Sequence, residues 1–414
     1  VTGSRSRVEQ FDFGPARLVF QPPLHLKSAD CDPYNMTNLL TPNGESLFSD
    51  TAYRAQRRAA LLDVYARHRP HAVITEMWPF ARANFDFETV PLAQAVKQDQ
   101  RSPVGGGPRL FSIARDIMFP PRLSSPDSPG LSNDRYRLVE DYFAPGGVLV
   151  RGDPAVIPLE ASVGPAPPAL RDRIHYVGYF ADQPSAGSAE CDSARPHGAV
   201  LVTSGGGFTQ DSQILFQKAI EARRYSALRN QVWRILAPAA CPEAAFSELA
   251  ALARREDPAG GIVVERNRRD FLALLAEAAL VICHAGNTVV EAVTSRTPAL
   301  VTPRGLSKNN LEQQVRAQAF YDKGLIEMAT LAEIADPQVL AAKADRAATA
   351  SVALRSVMVG GATRAAQRIT EADLAAKAAG SASAAGDPQH VAGAVVVEMT
   401  AEHEQQVRQP VNVA

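Results

Sequence analysis

Residues 280–314 read LVICHAGNTVVEAVTSRTPALVTPRGLSKNNLEQQ. The apolar run that starts at Ala279 and ends at Cys283 has the composition of a buried parallel strand. It breaks at His284, Ala285, Gly286, Asn287 and Thr288. Val289, Val290, Ala292 and Val293 then fall on helical spacing, with Glu291 among them. A second strand follows over 298–302, and a polar loop leads to a helix opening near Asn309. The order is strand, tight glycine turn, helix, strand. In open α/β sheets, ligands bind beyond the carboxyl ends of the strands. Free N–H groups at Gly286 to Thr288 would face a phosphate there, and Glu291, one turn in, would reach a pair of ribose hydroxyls.

This spacing resembles the nucleotide-sugar motif of GT-B glycosyltransferases. More narrowly, the chain is similar to bacterial glycosyltransferases related to MurG, whose C-terminal domain is of the family 28 type. The resemblance extends to about residue 370. It implies two Rossmann-like domains with parallel sheets flanked by helices and a cleft between them. It implies that the Gly286 loop holds a diphosphate, that Glu291 meets the ribose, and that Glu312 and Gln313 face the donor sugar. It also implies that the loop at Glu265 lies beside the base. One departure stands out. There is one residue fewer between Gly286 and Thr288 than such motifs carry, so the turn is tighter around Asn287 and Thr288.

The remaining chain is consistent with that frame. Its 414 residues suffice for two cores. The 46% hydrophobic content fits a globular protein. A net charge of −1 gives no electrostatic case for nucleic acid. No apolar run approaches the roughly 18 residues of a spanning helix, although peripheral contact with a membrane-borne acceptor is compatible with the sequence. Cys31, Cys191, Cys241 and Cys283 are scattered without a CxxC pair. That pattern suggests reduced thiols in a cytoplasmic protein and no zinc site.

From its start, the sequence predicts a strand over 16–21, a long polar loop over 28–50, and a basic amphipathic helix over 51–69 ended by Pro70. Further strands are expected over 71–75, 109–113, 147–150 and 174–178, with helices between them. By resemblance, the family opens with a strand, a Gly- and His-containing loop and a helix, and none of these precedes Val1. The expectation is that this first βα unit is missing from the centre of the first sheet. The domains are therefore placed at 1–180 for an acceptor-side unit, 181–198 for a linker rich in Ser, Ala, Gly and Pro, and 199–370 for a donor-side unit. A loosely ordered tail is expected over 371–414.

The second unit opens with a strand over 199–203, then Ser204-Gly205-Gly206-Gly207, then a helix. Three glycines between strand and helix let the backbone approach an anion. The same residues also make ordinary turns, and the pattern is neither G-x-G-x-x-G nor a P-loop. His284 reads as a contact to the donor phosphates, as a cap of the following helix, or as a satisfied histidine at a strand end. Glu291 reads as a ribose contact or as a solvent-facing helix position. Glu312 and Gln313 read as sugar contacts or as a polar helix start. In the first unit, Glu76, Arg115, Asp116 and Asp153 each follow an expected strand. Glu76 and Asp116 are the candidates for the catalytic base, against the alternative that they form structural ion pairs.

The expected activity is transfer of a sugar from a UDP- or dTDP-sugar to a hydroxyl on a small-molecule, lipid-linked or polymeric acceptor. It requires no cofactor and no metal: in such a fold the helix dipole and loop N–H groups would stabilise the diphosphate, and the nucleotide-sugar is a substrate. The alternatives are a nucleotide-sugar 2-epimerase of the same fold and a non-catalytic nucleotide-sugar-binding partner.

Overall fold

The computed structural model describes residues 16–27, 36–101, 107–118, 133–181, 198–266, 268, 270–305, 311–350, 357–381 and 394–397. They form two Rossmann-like α/β units, as the alternation of elements predicts. The first carries strands β1 (His25–Leu26), β2 (Leu39–Leu40), β3 (Ala72–Glu76), β4 (Arg109–Arg115), β5 (Gly147–Arg151) and β6 (Ile174–Tyr176). The second carries β7 (Val200–Thr203), β8 (Trp233–Ala237), β9 (Ile262–Arg266), β10 (Leu280–Cys283), β11 (Ala299–Val301) and β12 (Glu327–Met328). A last strand, β13 (Ala394–Val397), returns to the first unit.

The second sheet has the order β12-β11-β10-β7-β8-β9, parallel throughout. From β7 the chain runs outward to β9, then returns to β10 on the other side of β7 and runs outward to β12, so the order reverses between β7 and β10. A crevice opens at such a switch point, beyond the carboxyl ends. Alternate residues face opposite layers, as a pleated strand requires. Val200, Val202, Leu280, Ile282 and Leu300 pack with Leu215, Phe216, Leu249 and Leu340 on one side. Leu201, Val281, Cys283 and Val301 pack with Val289, Val293, Ala317 and Phe320 on the other.

The first sheet has the order β13-β3-β4-β5-β6, also parallel. Val73, Leu110 and Val148 face Leu61, Leu92, Val96 and Val139. Ala72, Ile74 and Phe111 face the opposite way, toward Ala365. Ala365 belongs to the helix Gly361–Ser381, so this helix packs on the first sheet although it follows the second in the chain. It also runs into the segment expected to be a loose tail. Further on, β13 pairs with β3, with Val395 opposite Val73 and Val396 opposite Ile74. The rest of the tail and nearly all of the expected linker lie outside the described residues.

Two local expectations change. Residues 16–21 form no extended strand; Pro22 and Pro23 follow and offer no N–H to a ladder. The segment read as a long loop contains β2, which pairs antiparallel with β1 and buries Leu39. In the helix Thr51–His68 the basic character is partly internal. Arg57 is buried and meets the equally buried Glu88 at 2.8 Å, a pairing that makes burial of both charges tolerable.

The units meet along an apolar seam. Ile117, Ile157 and Tyr179 of the first join the same buried cluster as Val289 and Val290 of the second. The chain crosses between units twice, side by side. Tyr179 N–H donates to Met358 O at 2.7 Å, and Gly361 N–H donates to Tyr179 O at 2.9 Å. Asp153 secures the crossing by accepting from Met358 N–H at 2.8 Å.

Candidate functional site

Three neighbouring strands of the second sheet end in register. Thr203 of β7 lies beside Cys283 of β10, which lies beside Val301 of β11. The loops that follow are therefore brought together: Ser204 to Gly207, His284 to Gly286, and Thr302 to Gly305. The first loop is shaped by its own polar groups. Ser204 Oγ donates to Gly207 O at 3.0 Å, and Gly205 N–H donates to Thr203 Oγ1 at 3.2 Å. Gly205 has φ +75°, which disfavours any side chain. A Cβ built on Gly205, Gly206 or Gly286 would meet nothing within 4 Å. Protein packing therefore does not demand glycine at 206 or 286, and the space before these loops is open.

Arg304 ties the first and third loops together. Its Nη2 donates to Ser204 O at 3.0 Å and Gly207 O at 3.2 Å, and its N–H donates to Gln313 Oε1 at 3.3 Å. Gly305 N–H donates to Asp211 at 3.0 Å. Arg304 Nε is buried without a partner among the described residues. Sequence reasoning missed this arginine. The signal available was its place in Pro303-Arg304-Gly305, directly after a strand.

His284 is buried, 3% exposed. Its Nδ1 lies 2.7 Å from Thr302 O. A carbonyl only accepts, so Nδ1 carries the proton and Nε2 is a bare lone pair. Nε2 has no partner among the described residues. Burial pushes the imidazole down to about 4, with the Thr302 carbonyl opposing and Arg304 adding to the fall. At neutral pH, His284 thus offers an acceptor to a hydroxyl; it meets a phosphate oxygen only after taking up a proton.

Gly286 is the N-cap of the helix Asn287–Thr294. Thr288 and Val289 are buried on it, while Asn287 and Glu291 lie on the side facing the first unit. Burial raises the Glu291 carboxyl above its usual range, against a hydrogen bond from Thr288. Glu291 and Asn287 line a small cavity between the units with Asp116, Arg151, Tyr179 and Arg316. Arg151 Nη2 donates across it to Asn287 Oδ1 at 3.2 Å.

Asp116 and Arg316 join the units by a buried ion pair at 2.9 Å. Arg316 also meets Glu312 at 2.7 Å and donates to Ala285 O at 3.1 Å. Asp116 further accepts from Ile117 N–H at 2.9 Å and Tyr179 O–H at 3.3 Å. Burial alone would raise the Asp116 carboxyl, but Arg316 outweighs it and holds the group below the usual range. Glu76 is similar: burial is overcome by Arg115 at 2.9 Å and Arg82 at 3.3 Å, and its carboxyl is held low. An ionised, arginine-paired carboxylate is a poor proton acceptor.

Glu265 stands apart, at the carboxyl end of edge strand β9, paired with Arg234 at 2.7 Å and Arg268 at 3.4 Å. Among the described residues no three His, Cys, Asp or Glu side chains stand together to hold a metal ion, and no helix is long and apolar enough to cross a membrane.

Residues 260–371, which contain β9 to β12 and the Gly286 turn, match the glycosyltransferase family 28 C-terminal domain. The second unit carries a glycosyltransferase domain. This bears out the resemblance seen in residues 280–314. No curated protein matches the sequence. Among solved structures, the chain is similar to the glycotransferase of kitacinnamycin, at 16% identity and TM-score 0.45 over 80% of this chain and 78% of that one. MurG of Acinetobacter baumannii aligns at 13% identity and TM-score 0.46, over 77% and 79%. A putative UDP-N-acetylglucosamine 2-epimerase of Listeria monocytogenes aligns at 14% and 0.45, over 76% and 78%.

Proposed function

We propose that the protein transfers a sugar from a nucleoside-diphosphate donor, UDP- or dTDP-linked, to an acceptor hydroxyl held on the first unit. The observation that carries this reading is the switch-point crevice of the glycosyltransferase family 28 domain. There, glycine loops with open space before them converge on the N-terminus of the helix Asn287–Thr294. Such a helix end suits a diphosphate, whose charge it offsets through the N–H groups of its first turn and the helix dipole, although Gly286 N–H itself donates to His284 O at 2.8 Å.

In this reading Gly205 to Gly207 and Gly286 to Thr288 receive the diphosphate, Glu291 receives the ribose hydroxyls, and Gln313, held by Arg304, faces the sugar. His284 accepts from a donor hydroxyl or, once protonated, meets a phosphate oxygen. The reaction invokes no cofactor. Asp116 sets Arg316, and with it the Ala285 carbonyl and Glu312, at the mouth of the crevice. Stabilising the leaving diphosphate is the main electrostatic demand of such a transfer.

The test is incubation with UDP- and dTDP-sugars and a panel of hydroxyl acceptors, followed by mass spectrometry. Free nucleoside diphosphate together with glycosylated acceptor is the expected result. A donor returned as its C2 epimer, or left intact with every acceptor, would overturn transferase activity.

A further inference from the structure

Arg151 is a charged residue that the donor-site reading leaves unused. It ends β5 and lies in register with Arg115, which ends β4. Two like charges side by side on neighbouring strands repel, and Arg316 adds a third cation across the cleft. Of the nearby carboxylates, Glu76 is engaged with Arg115 and Arg82, and Asp116 and Glu312 with Arg316, while Glu291 lines the same cavity without an ion pair to Arg151. Arg151 has no carboxylate within ion-pair distance among the described residues. Its contacts are Asn287 Oδ1 at 3.2 Å and the Phe180 ring at 5.7 Å. Burial, then Arg115, lowers its proton affinity, with Asp116 opposing. A guanidinium stripped of part of its water and crowded by like charge lacks one thing, an anion.

The position of the contact identifies the anion. Asn287 is the first residue of the helix whose N-terminus faces the crevice. The same loop carries the buried, unpartnered Nε2 of His284. We propose that Arg151 reaches across the cleft from the first unit to bind the diphosphate of the donor, completing a site otherwise built by the second unit. The proposal rests on the donor-site reading above. It makes Arg151 a group that touches the leaving diphosphate and bears part of the charge that develops there.

The test is titration calorimetry of UDP, UMP and uridine, and of the thymidine series, against the wild type, Arg151→Met and Arg151→Lys. The wild type is expected to bind the diphosphate more tightly than the monophosphate. Arg151→Met should weaken the diphosphate roughly ten- to hundredfold, the range of a hydrogen bond to a charged group. The monophosphate and nucleoside should stay within about twofold of the wild type, since a fold distorted by the substitution would weaken all three ligands. Arg151→Lys should recover part of the loss, keeping the charge without the fork. Unchanged diphosphate affinity in Arg151→Met overturns the assignment and leaves the donor site standing. Equal weakening of all three ligands also overturns it and makes Arg151 a structural clamp. A wild type that binds no nucleotide removes the donor site itself, and this assignment with it.

Discussion

Arg316→Met is expected to destabilise the protein by about 3–5 kcal/mol, the range for removing one partner of a buried ion pair. The side chains of Arg316 and Asp116 are 6% and 3% exposed. Without the guanidinium, the Asp116 carboxylate keeps Ile117 N–H, Tyr179 O–H and the longer-range pull of Arg151, and Ala285 O loses the Arg316 donor. A second substitution separates the pair's worth from the cost of orphaning a charge. Asp116→Asn in the Arg316→Met background removes the buried charge and should recover most of the loss. Urea midpoints of the two single variants and the double variant give the answer. An Arg316→Met protein within about 1 kcal/mol of the wild type would mean the pair is hydrated and the units are held by the apolar seam alone.

The second large effect is a pH dependence carried by His284. Its folded pKa of about 4 lies below the ordinary 6.5. The unfolded chain therefore binds a proton more readily than the folded one, and stability rises with pH between those values. The contribution is fully present above pH 6.5 and is lost as pH falls toward 4. By pH 4.5 the loss should be on the order of 2–3 kcal/mol. The depressed Asp116 and Glu76 carboxyls lose stability on acidification as well, so the wild-type curve alone does not isolate His284. His284→Asn provides the control, because it lacks the titrating group. The wild type should lose that much more than the variant between pH 7 and pH 4.5. Parallel losses would show that His284 titrates normally and that its Nε2 is hydrated.

The parts of the architecture that follow from local pattern were legible in the sequence. Apolar runs bounded by glycine and proline marked β3, β4, β5, β7, β8, β9, β10 and β11, and the Ser204 and His284 loops fell where the expected strands end. The strand read over 16–21 failed because apolar composition outweighed the two prolines that follow it. The pairing of β13 with β3 was hidden, since a short run of valines in an Ala- and Gly-rich tail gives no sign of which edge it meets. The cleft was the least legible part. Asp116 and Arg316 are 200 residues apart, and only the folded chain shows that they meet. Arg151 follows the strand expected over 147–150, and nothing in its sequence neighbourhood marks it. What distinguishes it is that, among the described residues, it ends beside Arg115 with no carboxylate in ion-pair distance.

The most direct test of the donor site is a thermal-shift measurement with UDP, dTDP, GDP, NAD and their common sugar conjugates, on the wild type and on Glu291→Ala. A ligand at about a hundred times its Kd adds roughly 2.7 kcal/mol of stability. The account predicts that one nucleoside diphosphate and its sugars stabilise the wild type, that NAD does not, and that the shift is largely lost in Glu291→Ala. No shift with any nucleotide, or an undiminished shift in Glu291→Ala, would contradict the site as placed.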